Sequence, residues 1–237
     1  MIDTVLFDLD GTLLGMDYND FEDKYFNLLA NKFTKYGEPE KLIQTIWDAT
    51  IYMIQKADGI SFNNERFFER FNTLINPEHH DAYLTGFMDF YNNEYDSVKE
   101  TTFKMEYMIE AVKILKDKGY NIMIATNPLF PEIAILRRID WAGLSHKDFS
   151  FITNFEICRY CKPNIGFYYE ISETVNKKPE QCLMVGNDML EDMIAKKVGM
   201  KTYLVNDCII EREKYFEPDY KSESKDFLKF VKNLPIV

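Results

Sequence analysis

The sequence predicts an α/β fold, a doubly wound parallel-sheet (Rossmann-like) core with an inserted helical cap domain. Three observations lead there. Residues 4–12 read Thr-Val-Leu-Phe-Asp-Leu-Asp-Gly-Thr, a short apolar β-type run that ends in two aspartates and a glycine. From about residue 102 to 205, short apolar runs alternate with helical stripes, the pattern of parallel strands with helices on both faces. Between these regions, helical stripes follow one another with no strand pattern between them. The expected division is a core of residues 1–16 and 98–237, and a helical unit of residues 17–97.

In chain order, Phe21, Tyr25, Leu28, Leu29 and Phe33 give residues 18–36 one apolar helical face. Pro39 suits a helix start, and Leu42, Ile43, Ile46, Trp47 and Ile54 continue the style. Phe67, Phe68, Phe71 and Leu74 mark a helix over 64–74, and Pro77 opens another with Tyr83, Phe87 and Phe90. These aromatic stripes read most simply as the core of the helical unit. Gly15 lies where a hinge to that unit would fall.

A helix over 104–118 then ends at Gly119, and Tyr120–Ala125 is a strand closed by Thr126-Asn127-Pro128. A helix over 131–139 and a strand over 149–153 follow, and Lys162-Pro163 precedes a helix over 164–175. Cys182–Val185 is a strand ending at Gly186-Asn187-Asp188. A helix over 189–198 stops at Gly199, Met200–Val205 is the last clear strand, and 224–233 is a C-terminal helix. There is no internal repeat, low-complexity tract or flexible linker.

The composition, 46% hydrophobic and 28% charged over 237 residues, is that of a globular chain. A net charge of −11 argues against a nucleic-acid partner, because a phosphate backbone needs clustered Lys and Arg. No apolar run reaches the roughly 18 residues of a membrane span. The chain enters its first strand almost at once, without a cleavable apolar leader, and a cytoplasmic location is the expectation. Cys158 and Cys161 form a C-x-x-C, but a structural zinc site would want a second close pair or histidines. Three histidines, His79, His80 and His146, leave little material for a histidine-based centre.

Asp8 and Asp10 carry the chemistry. Side chains two apart on an extended chain project from one face, so these carboxylates leave the strand end side by side. Such a pair is costly unless a cation or a shared proton compensates it. Gly11 allows a sharp turn, and Thr12 can satisfy backbone groups within it. A calcium loop beginning at Asp8 fails, since its glycine and glutamate positions hold Leu13 and Asn19. In open parallel sheets ligands bind beyond the carboxyl ends of the strands. That rim would collect Asp8, Asp10, Thr126, Asn127, Asn187 and Asp188, with Lys162 in a loop on the same side. A carboxylate nucleophile, a divalent cation, an ammonium, a hydroxyl and an amide are the parts that phosphoryl transfer requires.

These segments resemble the four motifs of the haloacid dehalogenase-type (HAD) hydrolase superfamily, over nearly the whole chain. They are DLDGT at 8–12, IATN at 124–127, KPNIGFY at 162–168 and VGNDMLEDMIAKKVGM at 185–200. The resemblance implies Asp8 as nucleophile and Asp10 as general acid/base. It implies Thr126, Asn127 and Lys162 as phosphate-binding residues, and a mobile helical C1-type cap. It also implies Mg2+ held by Asp8, Asp10 and Asp188, with Asn187 and Asp192 as further ligands or supports. Two departures stand out. Asn187 follows the glycine where an aspartate is usual, so either Asn187 or Asp188 could ligate the metal. Ile165 replaces the usual second proline of the third motif.

The dehalogenase branch relies on neither a second aspartate nor a metal, so Asp10 and the acidic fourth motif imply a phosphatase acting on a small phosphorylated metabolite. A phosphomutase of the same superfamily shares these features. A receiver-like phospho-acceptor is usually half this length and lacks a helical insert. A dinucleotide-binding enzyme is set aside, because no G-x-G occurs among the ten glycines. Lys56, Arg66 and Arg70 are cations of the helical unit that could meet an anionic substrate, although solvated helix faces explain them equally simply.

Overall fold

The computed structural model describes all residues, 1–237. Its centre is a five-stranded, all-parallel sheet built from β1 (Thr4–Phe7), β4 (Asn121–Ile124), β5 (Cys182–Gly186), β6 (Lys201–Val205) and β7 (Tyr220–Ser222), in the order β4-β1-β5-β6-β7. Residues alternate between its faces, as the period of a strand demands. Val5, Phe7, Ile122, Ile124, Leu183 and Val185 enter one apolar cluster, together with α5 (Glu106–Asp117) and α8 (Ser224–Asn233). Leu6, Met123 and Met184 enter the other, with Phe167 and Ile171 of α7 (Ile165–Thr174). Covering on both faces is why these strands are apolar throughout.

The chain leaves the sheet layer through β2 (Leu14–Met16) and returns through β3 (Thr102–Lys104), which pair as a two-stranded antiparallel ribbon. Gly15 is not in left-handed backbone. It is there because the Phe103 ring lies across it, and a Cβ would stand 2.2 Å from that ring. Between the ribbon strands run α1 (Tyr18–Lys32), α2 (Pro39–Gln55), α3 (Asn63–Leu74) and α4 (His80–Asn93). Their stripes bury Phe21, Tyr25 and Leu29 on α1, Leu42, Ile46, Ala49 and Met53 on α2, Phe67 and Phe71 on α3, and Tyr83 and Phe90 on α4. The last helix, α6 (Glu132–Trp141), follows β4.

Three expectations change. Residues 149–153 form a single parallel bridge, Ile124 to Ile152, instead of a strand. The segment enters from a 3-10 turn at His146–Asp148, and the Thr153 hydroxyl bonds the Thr126 carbonyl at 2.7 Å, which turns the chain away from the edge. Residues 189–198 are a turn followed by a 3-10 helix, Met193–Val198. The Asp188 carboxylate takes the N–H groups of Leu190 and Glu191 (2.8 and 2.9 Å), so side chains satisfy donors that would otherwise start an α-helix. Strand β7, short and exposed, had no apolar run to mark it.

Candidate active site

The carboxyl ends of β1, β4 and β5 meet at one rim. The Asp8 N–H donates to the Val185 carbonyl at 2.9 Å, the last ladder bond before the chain turns. Gly11 makes that turn at φ 80°, with its N–H on the Leu14 carbonyl at 2.7 Å. A Cβ there would lie 2.2 Å from the Tyr18 hydroxyl and 2.3 Å from Asn187 Nδ2, so both conformation and space require glycine.

Asp8, Lys162 and Asp192 form a buried row. Lys162 Nζ lies 3.0 Å from Asp8 Oδ1 and 2.6 Å from Asp192 Oδ1. The other Asp192 oxygen accepts the Asp188 N–H at 2.9 Å. Burial pushes the Asp8 carboxyl well above its ordinary value, Asp192 and Asp10 push the same way, and Lys162 opposes them. Burial works against the Lys162 charge, but Asp192 and Asp8 outweigh it and hold the ammonium above its ordinary value.

Asp10 has its own cation. Arg138 of α6 is buried and places Nη1 3.1 Å from Asp10 Oδ2. Its guanidinium lies 4.3 Å from the centre of the Phe130 ring. Asp10 Oδ1 and Arg138 Nε and Nη2 are buried without hydrogen-bond partners. Burial raises the Asp10 carboxyl, against the pull of Arg138 and Lys162. Arg138 was not singled out in the sequence, although a signal existed. It falls in the same helical stripe as Ala134, Ile135 and Ile139, all buried, whereas its neighbour Arg137 points outward to Asp96.

The remaining candidates divide. The Thr126 hydroxyl is uncommitted, and so is the Asn127 N–H. The Asn127 side chain is committed: it accepts the Lys162 N–H at 3.1 Å and donates to the Lys162 carbonyl at 3.3 Å and to Glu191 Oε2 at 2.9 Å. Asn127 therefore positions the lysine loop. The Glu191 carboxyl, unforeseen in the sequence, is pushed up to about 7 by burial and by Asp188, with Lys162 opposing. Cys158 and Cys161 are free and buried, and burial pushes both thiols up to about 12.

Asn187 and Asp188 face different groups. Asn187 turns to the first loop: Thr12 donates to its Oδ1 at 3.2 Å, and its Nδ2 donates to the Tyr18 hydroxyl at 2.9 Å. That hydroxyl donates to the Asp10 carbonyl at 2.7 Å. Asp188 instead faces Arg212, at 2.5 Å, and the two N–H groups of the following turn. The preference for Asp188 over Asn187 as a metal ligand therefore does not match the side-chain directions. No three His, Cys, Asp or Glu side chains converge so as to hold a metal ion. The donors around the first loop are of other kinds as well: the Asp8 carboxylate, the Asp10 carbonyl and the Asn187 amide. These are hard oxygens, and Mg2+ is commonly held by one or two carboxylates with waters and substrate phosphate completing its shell. Three carboxylates, Asp8, Asp10 and Asp192, also face only two cations, Lys162 and Arg138. The unpartnered Asp10 oxygen and this charge excess fit a bound divalent cation.

Beside Asp10 and Arg138 opens a cavity of about 360 Å³, walled by α1, α2, α3 and α4 and by residues 129–131 and 155–156. No helix is long and apolar enough to cross a membrane.

Comparisons with known proteins agree with this architecture. Residues 2–199 match the family model described as haloacid dehalogenase-like hydrolase. The chain is 23% identical over 239 residues to the pyrophosphatase PpaX of Bacillus cereus, covering 98% of each chain. It is 25% identical over 225 residues to the glyceraldehyde 3-phosphate phosphatase of Methanothermobacter thermautotrophicus, covering 90% of each. Among solved structures, a HAD phosphatase from Thermococcus onnurineus superposes with a TM-score of 0.64 at 18% identity, covering 100% of both chains. A 2-haloacid dehalogenase from Pseudomonas syringae superposes with a TM-score of 0.66 at 17% identity, covering 98% of both. At such identities the structural likeness establishes the fold alone.

Proposed function

The chain belongs to the haloacid dehalogenase-like hydrolases, and within that family we propose that it is a Mg2+-dependent phosphatase of small phosphorylated metabolites. The observation that carries the reading is the pair of buried aspartates at the end of β1, each with its own cation, Lys162 for Asp8 and Arg138 for Asp10. A buried carboxylate beside an ammonium can attack an anionic phosphate because the field there is partly cancelled. Asp10 stands two residues on and is raised toward its protonated form, as a general acid needs.

In the proposed sequence, an Asp8 oxygen attacks phosphorus, the bond to the leaving oxygen breaks, and an aspartyl-phosphate forms. Asp10 gives its proton to the leaving alkoxide. Water then attacks the same phosphorus, Asp10 takes a proton back, and the P–O bond to Asp8 breaks to release phosphate. Lys162, the Thr126 hydroxyl and the Asn127 N–H bind the phosphate oxygens. Asp8, Asp10 and Asn187 would hold Mg2+, which supplies positive charge against the phosphate; Asp192 fixes Lys162, and Asp188 braces the turn. Residues 17–97 form the cap over a core of 1–16 and 98–237, the β2–β3 ribbon being the neck between them. Such a substrate also places the enzyme in the cytoplasm.

Phosphate release from a panel of phosphomonoesters with Mg2+, run on the wild type and Asp8→Asn, tests the reading. Acid-quenched wild type should carry label from a 32P substrate, and Asp8→Asn should lose nearly all turnover. Wild-type turnover by Asp8→Asn, without deamidation, would sink the assignment.

A further inference from the structure

The cavity beside Asp10 is where the leaving half of a substrate must sit, because Asp10 lies in its wall and is the group placed to protonate that half. Its chemistry is one-sided. Of 23 lining residues 17 are hydrophobic, among them Phe21, Phe26, Trp47, Phe68, Phe87 and Met88. Its volume is at the lower end of ligand-sized pockets. Its charged residues are Asp10, Glu22 and Glu156 against Arg138 alone, and Arg138 is already paired with Asp10.

The other cations of the helical unit do not serve it. Lys56 pairs with Glu69 at 2.7 Å and Arg70 with Asp48 at 2.6 Å. Arg66 is buried and donates to the carbonyls of Met53, Ser61 and Arg159. None of the three lines the cavity. A second phosphate or a carboxylate on the substrate would thus be desolvated against aromatic rings and two unpaired glutamates, with no free cation to receive it. Hydrocarbon placed there gains the transfer free energy of its buried surface.

We propose that the substrate is a phosphate monoester of an apolar alcohol or phenol carrying no second anionic group, its hydrocarbon part filling this cavity. The proposal rests on the phosphatase reading above and narrows it. The reaction balances as ester plus water giving alcohol plus phosphate: the P–O bond to the alcohol breaks and the alkoxide takes its proton from Asp10. Pyrophosphate and triose phosphates, the substrates in the names of the relatives above, fit this lining poorly.

The test uses the full chain with Mg2+ and n-alkyl phosphates from methyl to hexyl, phenyl and naphthyl phosphate, glycerol 3-phosphate and pyrophosphate. The expected result is a kcat/KM that rises about fourfold per methylene until the cavity is full, the factor that burying one CH2 gives. Naphthyl phosphate should exceed phenyl phosphate, and glycerol 3-phosphate and pyrophosphate should fall below butyl phosphate. Trp47→Ala should flatten the chain-length dependence. A flat or falling series, or pyrophosphate as the best substrate, overturns the proposal while leaving the phosphatase reading standing. If no ester is hydrolysed, that reading fails instead, and the cavity is judged by binding alone. Hexanol or naphthol should then perturb tryptophan fluorescence saturably, and the change should vanish in Trp47→Phe. Absence of saturable binding overturns the proposal by itself.

Discussion

Replacing Arg138 by methionine separates the two roles proposed for Asp10. The substitution keeps most of the volume and removes the cation. With Nη1 3.1 Å from Oδ2, the gross attraction is about 5 kcal/mol at an effective dielectric of about 20. Breaking a buried pair from one side usually costs about 3–5 kcal/mol. Here part of that is returned, because Nε and Nη2 are buried without partners, and each such donor carries a penalty of about 1–3 kcal/mol. The expected net loss near neutral pH is therefore about 2 kcal/mol, a fall in Tm of about 4–8 °C for a chain of this size.

The loss should depend on pH, and the sign follows from Asp10. Its carboxyl already sits above the ordinary value through burial, with Arg138 and Lys162 pulling it down. Without Arg138 it rises further, so the folded variant keeps a proton that the unfolded chain releases. Stability then falls as pH rises through that range, and the deficit is larger at about pH 8 than at about pH 5. Urea titrations of wild type, Arg138→Met, Asp10→Asn and the double variant close a cycle, with an expected coupling of about 1–3 kcal/mol. Kinetically, a protonated Asp10 can still serve the leaving group but not activate water. Stopped-flow traces with an aryl phosphate should show a burst followed by slow turnover. Additivity of the two substitutions, or no burst, refutes the argument that Arg138 sets the charge state of Asp10.

The other predictions concern neighbouring residues. Asp10→Asn should slow alkyl phosphates far more than aryl phosphates, whose leaving groups need less protonation; equal losses count against a general acid. Asn187→Asp should tighten Mg2+ at least tenfold by adding a full charge, as read by calorimetry, whereas Asp188→Ala should leave Mg2+ affinity near wild type and cost about 1–2 kcal/mol through the lost turn and Arg212 contacts. The reverse pattern would restore Asp188 as the ligand. Glu191, raised from 4.5 to about 7, keeps its proton in the folded chain when the unfolded chain has lost it, so stability should fall as pH rises between those values. With chelator present, Glu191→Gln should flatten that slope, and an unchanged slope would show that another group causes it.

Much of the rim was legible because its residues sit at strand ends, where an apolar run stops and polar residues begin. Asp8, Thr126 and Asn187 all follow such runs directly. Lys162 and Asp192 lie in loops, and the motif resemblance, rather than any local pattern, pointed to them. The choice between Asn187 and Asp188 was not legible. Adjacent residues leaving a strand diverge, and which one faces the site depends on how the chain turns. Here Asp192 fills the space above Gly186, where a Cβ would lie 2.1 Å from its Oδ2, and the Asp192 carboxylate then holds the Asp188 N–H. That contact fixes the turn with Asn187 toward Thr12 and Tyr18. No single-residue pattern encodes it.

The wall of the cavity was hidden for a different reason. Phe21, Tyr25, Ile46 and Phe67 were read as core from their helical spacing, and each is indeed at least nine-tenths buried. They also line the cavity. Helical periodicity reports only that a face avoids water, and the wall of an apolar pocket satisfies that condition as fully as a packed interior does. The distinction lies in what is missing opposite the stripe, and that is a property of the tertiary packing of α1, α2, α3 and α4. Charge patterning does carry some of it. Lys56, Arg66 and Arg70 each find a partner inside the helical unit, so none is left to meet a substrate anion. An acidic chain whose cap spends its cations on itself is better suited to an uncharged leaving group than to a second phosphate.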